Sequence, residues 1–592
     1  MSKTSGPGSA TGDDDTEIEW QFDALDLRPV ERWLSSLEER PDESGDSGTG
    51  GRLLAIAKTS RRLVDTYVDT DDWRICRAGY VLRIRNRGQL FEATLKDLQP
   101  ASESGLRKRL EITEPISGAE PDEISSDGPV GRRVRALCGD RQLAKVIEVR
   151  TRRRPFLLLF DAIQAAEVAL DETVIRVDAR QRPAQLRRVE IEVVPEMLEE
   201  MRPHVDDLRI ACGLQPALLS KFEAGLLSLG MSVPAPPYLG STEISPESTL
   251  GDLAYAVIRR QLRVLYAREA GTRLGEDIEE LHDMRVATRR LRAAIDCFSS
   301  VLPVRAQTFH DELSWLASVL GEVRDLDVQI ERLSETDSLP QPASESKGRD
   351  AEANPGYAGN SPVRPLAQLR ELLEDERSQA RSRLLHALDT SRWARLSSGL
   401  EAMAVHGPNT RSLVARTPAV VSVPELLTAR HQAAVKAGKR AKRSRLPSDF
   451  HRLRIRCKRL RYALEFTADI YGQPLTRFTK QLARLQDELG AVQDAEIASF
   501  RLMDLAMGRD GPLPPETVFA MGRATEHYGI EAAAVINRIP SHIKFLTGSE
   551  WRELSTLLER RKDEALTTRR PTTLTATRQR QATPAHQVDH PT

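Results

Sequence analysis

Cysteine is scarce in this chain: five residues in 592, at positions 76, 138, 212, 297 and 457, never fewer than 62 apart. No CxxC or zinc-knuckle spacing exists and no disulfide framework is suggested, so the thiols read as reduced and the protein as cytoplasmic. Aromatic residues make up only 5%, which leaves few rings to interleave with cations as base-stacking surfaces require. Long hydrophobic runs are missing too. The opening MSKTSGPGSATGDDD has no apolar signal core, and the most apolar stretch, 156–170, is broken by Asp161, Gln164 and Glu167. Neither secretion nor a membrane span is expected. Net charge is nearly absent, with 86 Lys and Arg against 87 Asp and Glu. That excludes a uniformly basic coat but permits strong local segregation.

What is present is enough chain and enough apolar material, 40% of residues, for at least two cored domains. Residues 1–15 read as a tail and the Pro-rich 232–247 as a domain linker. Between them, short segments alternate with period two: 17–22, 80–85, 91–96, 106–113, 149–158 and 189–194. After Leu250 the spacing changes to i, i+3, i+4, i+7, rich in Leu, Ala, Arg and Glu. The fold class is therefore a multidomain α+β chain, with a β-rich domain at 16–231 and an all-α domain at 248–560. Residues 336–365 read as a disordered insertion and 561–592 as a disordered tail.

Residues i and i+2 of a strand share a face, so Glu17, Glu19 and Gln21 oppose Ile18, Trp20 and Phe22. The pattern recurs with Arg83 and Arg85, with Glu92, Thr94 and Lys96, with Arg109 and Glu111, and with Glu190 and Glu192. An ordinary sheet with charges facing water accounts for alternation alone. Carboxylate pairs on some strands and Arg or Lys on others also suit a lumen holding a metal-complexed polyanion. Hard carboxylate oxygens fit Mg²⁺ or Mn²⁺, and guanidinium and ammonium groups fit phosphate.

Glu17-x-Glu19, Tyr67-Val-Asp69-Thr70, Gly79-Tyr80-Val-Leu82-Arg83-Ile-Arg85, Thr94-Leu-Lys96, Arg109-x-Glu111, Ala169-Leu170-Asp171, Glu190-x-Glu192 and Ser220-Lys221 resemble, in order, the CYTH or triphosphate-tunnel family. The resemblance implies an eight-stranded antiparallel tunnel barrel binding a triphosphate-containing substrate. It implies divalent metal at Glu17, Glu19, Glu190 and Glu192, with Glu111 and Asp171 added. It implies phosphate contacts from Arg83, Arg85, Lys96, Arg109 and Lys221, and from one Arg of 150–154, assigned here to Arg152. The family opens Glu-x-Glu-x-Lys, and this chain has Gln21 at the third position. An amide cannot supply an ammonium's charge, so weakened turnover or a purely binding tunnel is expected, and no catalytic residue is assigned.

The helical domain repeats itself. His282-Asp-Met-Arg285-Val-Ala-Thr-Arg289-Arg290-Leu291-Arg292 matches His451-Arg-Leu-Arg454-Ile-Arg-Cys-Lys458-Arg459-Leu460-Arg461, and Leu320-Gly321-Glu-Val323-Arg-Asp325 matches Leu489-Gly490-Ala-Val492-Gln-Asp494. Both blocks keep an offset of 169 residues, which predicts tandem helical bundles about an approximate twofold axis. On a helix, His282, Arg285, Arg289 and Arg292 fall within an arc of about 80°, as do His451, Arg454, Lys458 and Arg461. Residues 436–461 hold twelve Lys or Arg and one acid, Asp449, a polyanion footprint. These motifs resemble the CHAD family. The resemblance implies binding of inorganic polyphosphate on those two arrays, often at polyphosphate granules, without catalysis by this domain.

Three classes of function follow. One is a polyphosphate-binding protein whose tunnel binds or hydrolyses triphosphate or the polymer's end with Mg²⁺ or Mn²⁺. A second is a metal-dependent triphosphatase that uses the helical domain as a localiser. The third is a nucleic-acid binder, supported by the basic face and disfavoured by a single aromatic, Phe450, within 436–461. The sequence carries no sign of oligomeric state, chain-length preference or choice of metal.

Overall fold

The computed structural model describes residues 16–38, 52–99, 102–176, 184–232, 234–337, 366–508 and 513–568. The expected tail at 1–15 and residues 338–365 of the expected insertion lie outside the described residues. The strands are β1 (Thr16–Asp23), β2 (Leu53–Ala57), β3 (Arg61–Thr70), β4 (Tyr80–Asn86), β5 (Phe91–Asp97), β6 (Leu106–Ile116), β7 (Leu143–Phe160), β8 (Ile163–Arg176), β9 (Ala184–Val193) and β10 (Gln215–Pro216). Eight close on themselves in the order β1-β6-β5-β4-β3-β7-β8-β9, β9 pairing back to β1 through Trp20↔Ile191. Closure leaves no edge within the barrel itself. β2 pairs outside the ring with β7, and β10 with β1.

The wall is clothed rather than filled. Ile18, Trp20 and Phe22 point outward into a core with Val30 and Leu34 of α1 (Arg28–Glu38) and Met201, Val205 and Leu208 of α4 (Leu198–Ala211). Two further helices precede α4: α2 (Arg74–Arg77) and α3 (Pro129–Cys138). On the other side Leu82, Ile84, Ala93, Leu95 and Ile112 meet Ile75 of α2 and Val130, Val134 and Leu137 of α3. Burial of the apolar rows against helices forces the alternate, charged rows into the lumen. The ordinary solvent-facing sheet is thereby excluded.

Antiparallel strands put the start of β1, β3, β5 and β8 and the finish of β4, β6, β7 and β9 at one end of the barrel. The opposite end is stopped by α5 (Lys221–Ser228), whose Phe222 and Leu226 pack on Tyr67, Val81, Ile147, Val149 and Ile175. The plug sits close to the wall: a Cβ on Gly225 would stand 2.6 Å from Ile147 Cδ1. Ser220 caps α5 with a reciprocal box to Glu223, which fixes the direction of the adjacent Lys221.

The helical domain comprises α6 (Leu250–Leu274), α7 (Ile278–Cys297), α8 (Ala306–Asp337), α9 (Ala367–Asp389), α10 (Ser391–His406), α11 (Leu413–Arg416), α12 (Ala419–Ser444), α13 (Pro447–Phe466), α14 (Ala468–Tyr471), α15 (Gln473–Ala506), α16 (Pro515–His542) and α17 (Ser549–Thr568). α6 and α7 begin 169 residues before α12 and α13, the offset of the sequence repeat. Thr249 and Pro418, equivalent positions of the two repeats, form a bridge with each other, marking where the pseudo-twofold axis passes. The two repeats share one continuous core running from Leu253 to Leu558. The last turns of α17 correct the expected tail, whose first residues, 561–568, are helical. Trp551 of α17 anchors them by stacking on His431 at 3.5 Å.

The linker is held down. Leu239 is buried, and Arg259, Arg260 and Arg263 of α6 donate to the carbonyls of Ser241, Thr242 and Gly240. The helical domain docks at the plugged end of the barrel. There Asp389 accepts from Arg74 of α2 and Arg273 of α6, each at 2.8 Å, and Arg133 pairs with Glu276 at 2.8 Å. Among the described residues no helix is long and apolar enough to cross a membrane.

Candidate functional sites: a charged tunnel and a basic groove

The lumen is a cavity of about 410 Å³ lined by eight cationic and seven acidic side chains. Most are paired. Lys96 reaches Glu17 at 2.9 Å and also Glu111, and Arg109 reaches Glu17 at 3.1 Å and also Glu19. Arg83 contacts Glu111 and Thr94, each at 3.4 Å. Arg85 makes a bidentate pair with Asp65 at 2.7 and 2.8 Å. Burial works to raise Asp65, but Arg85 outweighs it and holds the acid down at about 2. Lys221 joins Glu190 at 2.9 Å. Burial likewise opposes ionisation of Glu190, yet Lys221 and Arg153 keep it well below the usual carboxylate range.

One sequence assignment is corrected. Arg152 lies on the outer face of β7 and is exposed, whereas Arg153 enters the lumen, bidentate to Asp171 at 2.9 and 2.7 Å and 2.5 Å from Glu190. The strand parity settles this, since Ile147 and Val149 already face the plug and Thr151 and Arg153 follow on the same row. Asp171 is fully buried with its oxygens committed to Arg153 and Lys221. In the empty lumen it positions those two cations. Arg61, Arg87 and Glu167 also line the lumen and Asp65 braces Arg85 there, none of them foreseen, although Asp65 and Glu167 sit on the same alternating rows as Tyr67 and Asp171.

Glu17, Glu19 and Glu192 gather on adjacent strands, with Glu19 opposite Glu192 in register and Gln21 opposite Glu190. Burial raises Glu19 to about 7, with Arg109 opposing and Glu17 and Glu190 adding to the rise. Glu192 is raised by burial and then by Glu17 and Glu111, and it makes no ion pair among the described residues. Among those residues, no three His, Cys, Asp or Glu side chains already converge to hold a metal ion. The cations explain this, because Lys96 and Arg109 draw Glu17, Glu111 and Glu19 toward themselves. Gln21 occupies the innermost position of the β1 row. Its Nε2 donates to Glu19 at 2.8 Å and to Glu190 at 3.5 Å, while its Oε1 is buried without a partner.

In the helical domain, His282, Arg285 and Arg289 of α7 and Arg454 and Lys458 of α13 converge from the two repeats on one groove of about 450 Å³. Arg292 lies in an adjoining hollow with Arg285 and Arg289. Burial pushes Lys458 down to about 7, reinforced by Arg289, Arg454, Arg285 and Arg461. His282 is lowered by burial and then by Arg324. Around the central cations acids are less close than in the lumen, Asp325 standing 3.7 Å from Arg285, while at the side Arg501 pairs with Glu376 at 2.6 Å. Two expected members fall outside the groove lining. His451 is exposed and pairs with Gln493 at 2.9 Å, and Arg461 turns to Glu465 at 3.3 Å. The residues 436–461 do not form one face, since Lys439, Lys442, Arg443, Arg456 and Arg459 are exposed on other sides of their helices. Arg324, Arg332 and Arg501 line the groove unforeseen, yet Arg332 and Arg501 keep the offset of 169 and extending the repeat would have paired them.

Family models match in two places, the CYTH domain over residues 43–221 and the CHAD domain over residues 256–503. No curated protein matches the chain. Among solved structures, the CHAD domain of the plant Ricinus communis is 26% identical over 52% of this chain and 97% of its own, with a TM-score of 0.40. PptA from Streptomyces chartreusis is 20% identical over 52% of this chain and 100% of its own, TM-score 0.38. HpAC1 from Hippeastrum, described with a dominant triphosphatase activity, is 16% identical over 37% of this chain and 98% of its own, TM-score 0.27.

Proposed function

For a chain that carries a CYTH domain followed by a CHAD domain, we propose inorganic polyphosphate binding, with the polymer in the helical groove and triphosphate or a polymer end in the tunnel. The observation that carries the reading is the convergence of cations from both repeats around Lys458. A flexible chain with about one charge per phosphate suits that row, because guanidinium contacts and counterion release both favour it.

In the tunnel, phosphate oxygens would take over Arg83, Arg85, Lys96, Arg109, Arg153 and Lys221 from their carboxylates. The carboxylates so released fit a hard divalent cation: the donor set is all oxygen, Glu192 is already unpaired among the described residues, and Gln21 Oε1 lacks a donor. Mg²⁺ or Mn²⁺ would be held by Glu17, Glu19 and Glu192, with Glu111 and Glu190 alongside. When bound, the cation would offset phosphate charge and polarise the bond to be broken. Gln21 holds Glu19 and Glu190 in place but adds no charge beside the reacting phosphoryl group, so hydrolysis by this tunnel would be slow.

The test is phosphate release from triphosphate and from long-chain polyphosphate with Mg²⁺ or Mn²⁺, alongside binding to each. Binding of both with slow release is expected. A single-stranded oligonucleotide of matched charge bound as tightly as polyphosphate would overturn the polyphosphate assignment.

A further inference from the structure

Among the described residues the lumen is open at one end only. Phe222 and Leu226 of α5 stop the end where β3 finishes, and the open end is where β3 begins and β4 finishes. Two arginines stand at that open end. Arg61, the first residue of β3, is exposed and lies in register with Arg153. Arg87, just past the last residue of β4, is held over the opening by Glu92 at 3.1 Å and keeps 37% of its side chain exposed. Burial lowers Arg87, with Glu92 opposing, and the remaining lowering comes from Arg85, Arg83 and Arg61. Arg83, Arg85 and Arg87 follow one another at a spacing of two and line the lumen together with Arg61, so the four guanidiniums form a file from lumen to solvent. The facing part of the opening carries the reverse charge, Glu167 standing opposite Glu192 in register.

We infer that the tunnel takes its polyanion end first, with Arg61 and Arg87 forming a mouth subsite for the phosphates that follow those inside. A blind lumen cannot be threaded from the middle of a chain, so only a free terminus can enter. The phosphates still outside are steered to one side, because Glu167 repels them and Arg61 and Arg87 attract them. The substrate class is therefore a linear oligo- or polyphosphate with an unblocked terminus, longer than the lumen holds. This rests on the reading that the lumen holds phosphate, and the experiment separates the two.

The full chain carrying Arg289→Glu and Arg454→Glu, to silence the groove, is titrated with Mg²⁺ and triphosphate, with a linear phosphate chain of roughly a dozen units, and with the same chain blocked at both termini. The linear chain should bind about tenfold more tightly than triphosphate, the scale of two partly exposed charge contacts. Adding Arg61→Gln and Arg87→Gln should remove that difference and leave triphosphate affinity within about twofold. Arg61→Lys with Arg87→Lys should restore most of it. The blocked chain should not displace triphosphate. Equal competition by the blocked chain overturns end-first entry, and an unchanged linear-chain advantage in the Gln variant overturns the mouth subsite. If triphosphate itself fails to bind the unmodified lumen, the underlying reading falls, and the inference with it.

Discussion

The tunnel and the groove handle the same kind of charge in opposite ways. In the tunnel cations meet carboxylates at hydrogen-bonding distance, as Arg85 with Asp65, Lys96 with Glu17 and Arg153 with Asp171. In the groove Arg285, Arg289, Arg454 and Lys458 crowd one another, with Asp325 3.7 Å from Arg285, and close pairing is confined to the side, where Arg501 meets Glu376 at 2.6 Å. A compensated site is stable when empty, and a ligand must displace existing partners, which favours a ligand able to satisfy cations and carboxylates together. An uncompensated site stores repulsion when empty. Any flexible polyanion relieves it, with strong dependence on salt.

The largest expected effect breaks the groove. Arg289→Glu with Arg454→Glu and Lys458→Glu should cost two to three orders of magnitude or so in affinity for long-chain polyphosphate, since three cations become repulsive. These side chains lie off the continuous core, so circular dichroism and the melting temperature should change little; undiminished binding would show that the polymer sits elsewhere. The next effect sharpens the tunnel. Gln21→Lys places an ammonium between Glu19 and Glu190, where Nε2 now donates, and should raise triphosphate hydrolysis by about tenfold or more, chiefly in kcat. A native rate already brisk and unchanged by Gln21→Lys would mean that another group supplies the charge.

Compensation also predicts a joint requirement. Metal with triphosphate should raise the tunnel's melting temperature by a few degrees, and either alone should do little, because only the pair satisfies both halves of each broken ion pair. Scanning calorimetry with each ligand singly and together checks this. The smallest effect is a pH dependence of binding to the groove. Lys458, held near 7 in the empty groove and raised by bound phosphate, should take up a proton on binding above that pH. Affinity is then full below about 7 and declines several-fold toward pH 9. Titrations in buffers of different ionisation enthalpy should detect the proton, and Lys458→Arg should abolish the uptake above pH 7 and the decline toward pH 9, leaving any uptake by His282 at lower pH.

Much of both sites was legible because periodicity encodes facing. Alternation on β1, β4, β5, β6 and β9 separated the charged rows from the apolar ones, the family resemblance turned the charged rows inward, and the offset of 169 residues matched α7 to α13 before any helix was placed. What escaped were partnerships. Arg152, Arg153 and Arg154 are chemically alike in a row, so parity had to come from Ile147 and Val149, whose role in the plug depends on α5 packing from 70 or more residues away. The sequence placed Asp171 in the lumen, but not its partner: Arg153 lies directly across from it in register and pairs with it. Arg461 obeys the helical arc, but Glu465 one turn later captures it. In each case a neighbour decided between two plausible uses of the same side chain.

Asp389 pins the helical domain against the plugged end of the barrel, through Arg74 on one side and Arg273 on the other. The tunnel therefore opens away from its partner domain. If one polymer occupies both sites, it must travel around the outside of the barrel, a path of about 30 Å for strands near ten residues long. The protein would then act as a gauge of length: chains too short for the detour fill one site or the other, and longer chains gain the avidity of a tethered second contact. Apparent affinity plotted against chain length should show a step rather than a gradual climb, and Asp389→Ala, by loosening the angle between domains, should blur the step without weakening either site alone.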